Sequence, residues 1–301
     1  MQAWPLERKI QVTQTRIIEW YQHHEGRVYV SFSGGKDSTV LLDLARRIYP
    51  DMKGVFFDTG LEYPEIRKFV KTFENIDYIR PKHSFPSVIE KYGYPIISKE
   101  VADKIYWARK GSRWAVNQMN GLSTDGSPSD FCKRYLRHKW LMDAPFKISS
   151  NCCDVMKKNV AKTYDRRNKC YPIVGTMASE SVLRQRIWLR DGCNSFKSGG
   201  QSKPISFWTD QDVLSYLKLT NIPYSEIYGE IVEENGLLKT TGANRTGCMF
   251  CMFGVHLEKE PNRFQRMKET HPKQWEYCMK PVDDGGLGLA EVLDHIGVRY
   301  E

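Results

Sequence analysis

Ser33-Gly34-Gly35-Lys36-Asp37-Ser38 joins two runs of opposite period. Before it, Arg27-Val28-Tyr29-Val30-Ser31-Phe32 is β-branched and aromatic, the composition of a buried strand. After it, Val40, Leu41, Leu44, Ala45 and Ile48 recur at helical spacing. A strand that enters a helix through a glycine turn builds an anion site. The glycines let backbone approach a phosphate, while unpaired N–H groups and the helix dipole face it. Lys36 adds a point charge, and Ser33 and Ser38 add hydroxyl donors. Asp37 repels a phosphate unless it holds backbone donors or a magnesium ion. The glycine spacing differs from that of the GxxxxGK[ST] loop.

The alternation continues along the chain. Residues 4–21 read as an entry helix with Leu6, Ile10, Ile17 and Ile18 on one face. Gly54-Val55-Phe56-Phe57 reads as a second strand and is followed by Asp58-Thr59-Gly60. Pro64 opens a helix carrying Ile66, Phe69, Val70 and Phe73 at i, i+3, i+4 and i+7. Ile76-Asp77-Tyr78-Ile79 and Pro172-Ile173-Val174-Gly175 read as further strands, and Thr209 with Asp212 as a capping box. These elements predict an α/β chain: a Rossmann-like parallel sheet with helices on both faces. The expected division is an N-terminal helix (1–25), a nucleotide-binding core (26–225) and a small Cys-containing C-terminal subdomain (226–301). Segments 121–130 and 197–203 read as loops.

Charge is unevenly spread. Residues 99–169 carry 16 Lys and Arg against 7 Asp and Glu, so the whole formal excess of +9 lies there, together with Trp107, Trp114, Tyr135 and Trp140. A mononucleotide needs only a few cations, so a longer polyanion, tRNA or DNA, is an expected partner of this segment, beside the bland reading of a solvated basic face. No apolar run reaches membrane-spanning length and no signal pattern opens the chain, so a cytoplasmic protein with no membrane partner is expected.

The loop after the first strand resembles the pyrophosphate-loop motif of the adenine nucleotide α-hydrolase superfamily. Within it, the chain is most similar to the phosphoadenosine-phosphosulfate reductase family. Asp58-Thr59-Gly60 after the second strand carries that likeness, as do Lys203-Pro204-Ile205-Ser206-Phe207-Trp208-Thr209-Asp210-Gln211-Asp212-Val213 and Ile222-Pro223-Tyr224. The resemblance implies an adenine nucleotide α-hydrolase-like fold. It also implies nucleotide contacts from Ser33, Gly34, Gly35, Lys36, Asp37, Ser38, Asp58, Thr59, Gly60, Gly175, Ser181 and Arg184. Met177 stands where a typical reductase has arginine.

Cys152 and Cys153 stand in tandem, and Cys248-Met249-Phe250-Cys251 follows far downstream. Four thiolates from two segments suit zinc or a [4Fe–4S] cluster. Neighbouring side chains diverge, which a cluster with an iron at each corner accepts more readily than a single ion. The arrangement resembles the iron–sulfur subset of adenylylsulfate reductases, which implies a [4Fe–4S] cluster on these four residues with Lys157 as that subset's nearby lysine. Cys132, Cys170, Cys193 and Cys278 read as ordinary thiols.

Three functions follow as expectations. The first is an ATP-using enzyme that cleaves between the α- and β-phosphates and supports sulfur transfer to a nucleic acid, with a sulfur-donor protein as partner. Lys36 and Asp37 serve that chemistry, and Asp37 and Asp58 position Mg2+. The second is a sulfonucleotide reductase that releases sulfite. Its relatives resemble one another in a terminal Glu-Cys-Gly-x-His tail, whereas this sequence reads Asp294-His295-Ile296-Gly297-Val298-Arg299-Tyr300-Glu301 at that point. The third is a non-catalytic nucleotide- and cluster-binding sensor, against which the complete loop argues.

Overall fold

A computed structural model describes residues 1–301. Along the chain run α1 (Leu6–His23), β1 (Val28–Ser31), α2 (Lys36–Arg46), β2 (Gly54–Phe57), α3 (Pro64–Val70) and β3 (Ile76–Ile79). Next come α4 (Phe85–Tyr92), β4 (Ile96–Ile97), α5 (Lys99–Arg109), α6 (Arg113–Met119) and α7 (Asp130–Lys133), then a 3₁₀ segment, Leu136–Asp143, and a π-helical turn, Asp154–Lys158. After these lie α8 (Asn159–Asn168), β5 (Tyr171–Val174), α9 (Val182–Asp191), α10 (Asp210–Thr220), β6 (Ile231–Glu234) and β7 (Leu237–Thr240). The chain closes with β8 (Met252–Phe253), α11 (Arg263–Thr270), α12 (Pro272–Met279) and α13 (Leu289–His295). No helix is long and apolar enough to cross a membrane.

Four parallel strands form the main sheet in the order β3-β2-β1-β5, so this is an α/β fold built on a parallel sheet flanked by helices. Val30 pairs with Gly54 on one side and with Ile173 on the other, which places β1 at the centre. Its residues are apolar in succession because a parallel strand is buried on both faces. Val28, Val30, Phe32, Leu41, Leu44, Phe69, Ile173 and Trp208 belong to the large core on one face. Tyr29, Val55 and Tyr164 form the smaller core on the other.

Two compact units make up the chain, and neither is continuous. The first comprises residues 1–81 and 159–249, the second 82–158 and 250–301. This differs from the linear division 1–25, 26–225 and 226–301. α1 packs into the core of the first unit through Ile17 and Trp20 instead of standing apart. The 82–158 segment leaves that unit after β3 and re-enters it before β5. Within the second unit, the parallel pair β4–β8 joins Ile96 to Met252, a pairing across more than 150 residues that no local pattern announces. The β6–β7 hairpin of the first unit did have a local signal: Asn235-Gly236, both at positive φ.

The Lys203–Val213 run shows why each residue type is needed. Ile205 and Phe207 are wholly buried. Trp208 Nε1 donates to Thr13 Oγ1 at 2.9 Å. Thr209 and Asp212 cap α10 reciprocally, and Asp212 Oδ2 also takes a 2.6 Å ion pair from the buried Lys9 of α1. The run therefore fastens α1 to α10 and leaves Asp210, the first residue of α10, facing the loop.

Gly34 and Gly60 separate two kinds of glycine requirement. Both have positive φ, but a Cβ on Gly34 would stand 2.6 Å from Val70 Cγ2 and 2.9 Å from Ile66 Cγ2, whereas one on Gly60 meets nothing within 4 Å. Gly60→Ala should cost only backbone strain, about 1 kcal/mol. Gly34→Ala adds overpacking against α3 and should cost roughly 2–4 kcal/mol in urea unfolding. Equal losses for the two variants would show that the contact with α3 is unimportant.

Candidate nucleotide and sulfur site

The loop sits at the C-terminal end of the central strand, where parallel sheets place ligands. Its hydroxyls are pre-ordered. Ser33 Oγ lies 3.0 Å from Ser38 Oγ, which donates to the Gly35 carbonyl at 2.8 Å, while the Ser33 N–H donates to Ser38 Oγ at 3.2 Å. Gly175, leaving β5, lets the next strand close on the loop: a Cβ there would stand 3.3 Å from the Asp37 carbonyl oxygen and from Ser38 Cα.

Lys36 is buried, with 3 % of its surface exposed. Its ammonium lies 2.8 Å from Asp210 Oδ1, 3.5 Å from Asp37 Oδ1 and 3.3 Å from the Asn244 carbonyl. Burial alone would lower its pKa; the carboxylates of Asp37 and Asp210 outweigh that and raise it. Burial pushes the Asp37 carboxyl up, partly offset by Lys36. The backbone N–H of Lys36, which opens α2, donates to the Tyr228 hydroxyl at 3.1 Å, and that hydroxyl is 2.7 Å from Thr246 Oγ1. Tyr228 thus occupies the helix N-terminus where an anion's oxygen would bind.

A second charge knot adjoins the loop. Glu180 accepts from Arg184 and Arg245, and also from the Met177 N–H at 2.9 Å. Arg184 feels Arg245 and Asp37, after burial, which lowers its pKa. Arg245 was not singled out from the sequence; a basic residue in the glycine-containing turn just before the CxxC spacing was the available signal. Ser181 uses its hydroxyl to cap α9, accepting from the Arg184 N–H. Met177 is buried in the core.

Asp58, Thr59 and Gly60 form a turn closed by Glu62, which accepts from the Thr59 N–H at 3.1 Å and the Thr59 hydroxyl at 2.7 Å. Asp58 is clamped by Arg67 and Arg80, at 3.1 and 3.0 Å, and accepts from the Gly60 N–H. Burial would raise its pKa; the two guanidinium groups prevail and hold it below the usual carboxylate range. A carboxylate so engaged does not have the vacant oxygens that magnesium needs.

In the second unit, Cys153 is hydrogen-bonded to Cys152, which lowers its pKa to about 6 against its burial, with Lys99 and Lys157 adding to the effect. Burial raises the pKa of Cys251, which also feels Cys153 and Lys99. Three of the four expected ligands therefore share a neighbourhood with two lysines, one of them the expected Lys157. Cys248 lies at the end of the first unit. As the side chains stand, no group of three or more His, Cys, Asp or Glu converges closely enough to hold a metal ion. Cys132, Cys193 and Cys278 are buried, with Cys278 pushed up to about 12 and Cys170 to about 11, each first by burial.

Part of the 99–169 excess is spent within the second unit. Arg109 donates to the carbonyls of Leu141, Met142, Ala144 and Phe146, and Arg134 pairs with Glu100.

The family model described as the phosphoadenosine phosphosulfate reductase domain matches residues 27–99 and 124–252, well over half of the sequence. The chain belongs to that family. Protein MJ0973 of Methanocaldococcus jannaschii is 26% identical over 290 residues, 96% of this chain and 55% of the relative, so the chain spans about half of that protein. Adenosine 5′-phosphosulfate reductases of Staphylococcus epidermidis (26% identical, 75% of each chain) and Bacillus anthracis (29% identical, 70% of this chain and 75% of the relative) are also similar. A crystal structure of phosphoadenylyl-sulfate reductase from Candida auris, in a phosphate complex, aligns with a TM-score of 0.42 and 14% identity over 77% of this chain and 95% of that one.

Asp210 competes with any anion for Lys36. Asp210→Asn should tighten adenosine nucleotide binding by about fivefold, the worth of an ion pair whose carboxylate partner is exposed, in calorimetric titrations at fixed salt. Weaker binding would show that Asp210 supports the bound state instead.

Proposed function

We propose that the chain is a sulfonucleotide reductase: it binds an adenylyl sulfate at residues 33–38 and releases sulfite. The observation that carries this reading is a complete, pre-ordered anion loop in a chain whose relatives include named adenosine 5′-phosphosulfate reductases. A thiolate attacks the sulfur, the S–O bond breaks, and its electron pair leaves on the phosphate oxygen of AMP. A second thiol then attacks the first, releasing sulfite and leaving a disulfide, so sulfur gains the two electrons the dithiol loses. Loop N–H groups, Lys36, Ser33 and Ser38 stabilise the charge gathering on the leaving phosphate. Arg184 and Arg245 extend the positive surface.

The dithiol is assigned to a partner protein or small reductant, because Cys132, Cys193 and Cys278 are buried and the pKa of Cys170 is raised. Cys152, Cys153 and Cys251, with Cys248 added by the CxxC spacing, are the proposed ligands of an iron–sulfur cluster, and the cations Lys99 and Lys157 suit an anionic one. Asp37 Oδ1 is buried with the 3.5 Å ion pair to Lys36 as its polar contact and no closer hydrogen bond, which fits a magnesium ion arriving with a nucleotide. Asp58, clamped by arginines, does not fit that role.

A second reading is ATP α–β cleavage feeding sulfur transfer to tRNA or DNA. It is favoured by exposed Phe131, Trp107 and Trp140 in the basic segment, with the Arg134 guanidinium 3.7 Å from the Phe131 ring centre.

One experiment separates them. With adenosine 5′-phosphosulfate and a dithiol, the chain should release sulfite, and Lys36→Ala should cut kcat/KM by about 100-fold, the scale of losing one oxyanion donor. No sulfite, together with pyrophosphate from ATP, would select the second reading. For the cluster, protein purified without oxygen should be brown with about four iron per chain, and Cys153→Ser should bleach it while Cys170→Ser does not. Colourless protein carrying one zinc would refute the cluster.

A further inference from the structure

At the C-terminal ends of β2 and β3 in the first unit lies a cleft of about 640 Å³, lined by Phe56, Asp58, Arg67, Lys71, Phe73, Tyr78 and Arg80. Three cations face one carboxylate, and that carboxylate is already engaged. Arg67 reaches Asp58 through both Nε and Nη2, at 3.1 Å each, whereas Arg80 bonds it through Nε alone, at 3.0 Å. Asp58 thus orients the two guanidinium groups and leaves the Nη donors of Arg80 for a ligand. The cleft is built for an anion, although its one acidic residue alone would suggest a cation. Planar guanidinium forks of this kind match phosphate geometry.

The walls specify more than charge. Tyr78 is held at both ends: its hydroxyl donates to the Val70 carbonyl at 2.9 Å, and its ring meets Phe56 edge-on at 5.9 Å between centres. It nevertheless remains 45 % exposed. A fixed, half-exposed aromatic ring beside cations offers a stacking surface, and the volume falls within the range of small-ligand sites.

We propose that this cleft is a second site, separate from residues 33–38, that binds a phosphate-bearing mononucleotide. The phosphate lies on Arg80 and Lys71, and the base packs against Tyr78 and Phe73. Nothing in this proposal depends on sulfite release, and its failure leaves the reductase reading untouched.

The test is calorimetric titration of 5′-AMP and inorganic phosphate, at low salt, into the full chain and into Lys36→Ala, which disables the loop. Lys36→Ala should retain one 5′-AMP site. That site should bind 5′-AMP about fivefold more tightly than phosphate, the increment of one aromatic stack. Adding Lys71→Ala or Arg80→Ala should weaken it by about tenfold, the loss of one charge-assisted contact. Lys71 lies outside the Asp58 clamp, so its variant should fold even if Arg80→Ala does not. The proposal is overturned if Lys36→Ala abolishes all 5′-AMP binding, if phosphate binds as tightly as 5′-AMP, or if Lys71→Ala in a folded protein changes nothing.

Discussion

A lysine ammonium buried beneath a glycine turn has to be neutralised, and the first unit is arranged around that requirement. Asp37 comes from the same helix, Asp210 from the start of α10, and the Asn244 carbonyl from the turn before the CxxC cysteines. Three segments far apart in sequence therefore converge on one charge. Each is held by its own device: α10 by its capping box and the Lys9 ion pair, and the 244–246 turn by the Tyr228–Thr246 hydrogen bond. Tyr228 simultaneously satisfies the first N–H of α2, a group that would otherwise be an orphan donor.

The charges at the loop nearly cancel. Lys36, Arg184 and Arg245 stand with Asp37, Asp210 and Glu180, so an incoming anion exchanges partners and adds little net charge neutralisation. Binding there depends on displacement of carboxylates or on a cation brought by the ligand. The Asp58 cleft is the opposite case, since its single carboxylate leaves a net positive surface. The loop and the Asp58 cleft thus offer two different electrostatic environments to the anions we propose they bind.

Much of this was legible in the sequence, and the reasons are local. β2 and β3 fall at 54–57 and 76–79 as read, because buried parallel strands are short apolar runs between turn signals. The loop and the Thr209–Asp212 cap are likewise contiguous motifs whose chemistry is complete within a few residues. Asp58, read as a candidate to position magnesium, is engaged by Arg67 and Arg80, which reach it only after α3 and β3 have folded back beside β2. Lys99 adjoins Cys153, and α5, which it opens, begins directly after the β4–β8 pairing.

By itself, the sequence determined the α/β alternation, the glycine loop between strand and helix, the cysteine spacing and the confinement of excess charge to 99–169. Each depends on period, on short-range spacing or on the composition of one contiguous stretch. The tertiary structure alone decided how the units divide, which carboxylates neutralise Lys36, and that Asp58 serves arginines. It also showed that Arg109 spends its charge on backbone carbonyls. Those outcomes are pairings between segments tens to hundreds of residues apart, selected by burial. A one-dimensional pattern records which groups are present, whereas desolvation in the folded chain decides which of them must meet.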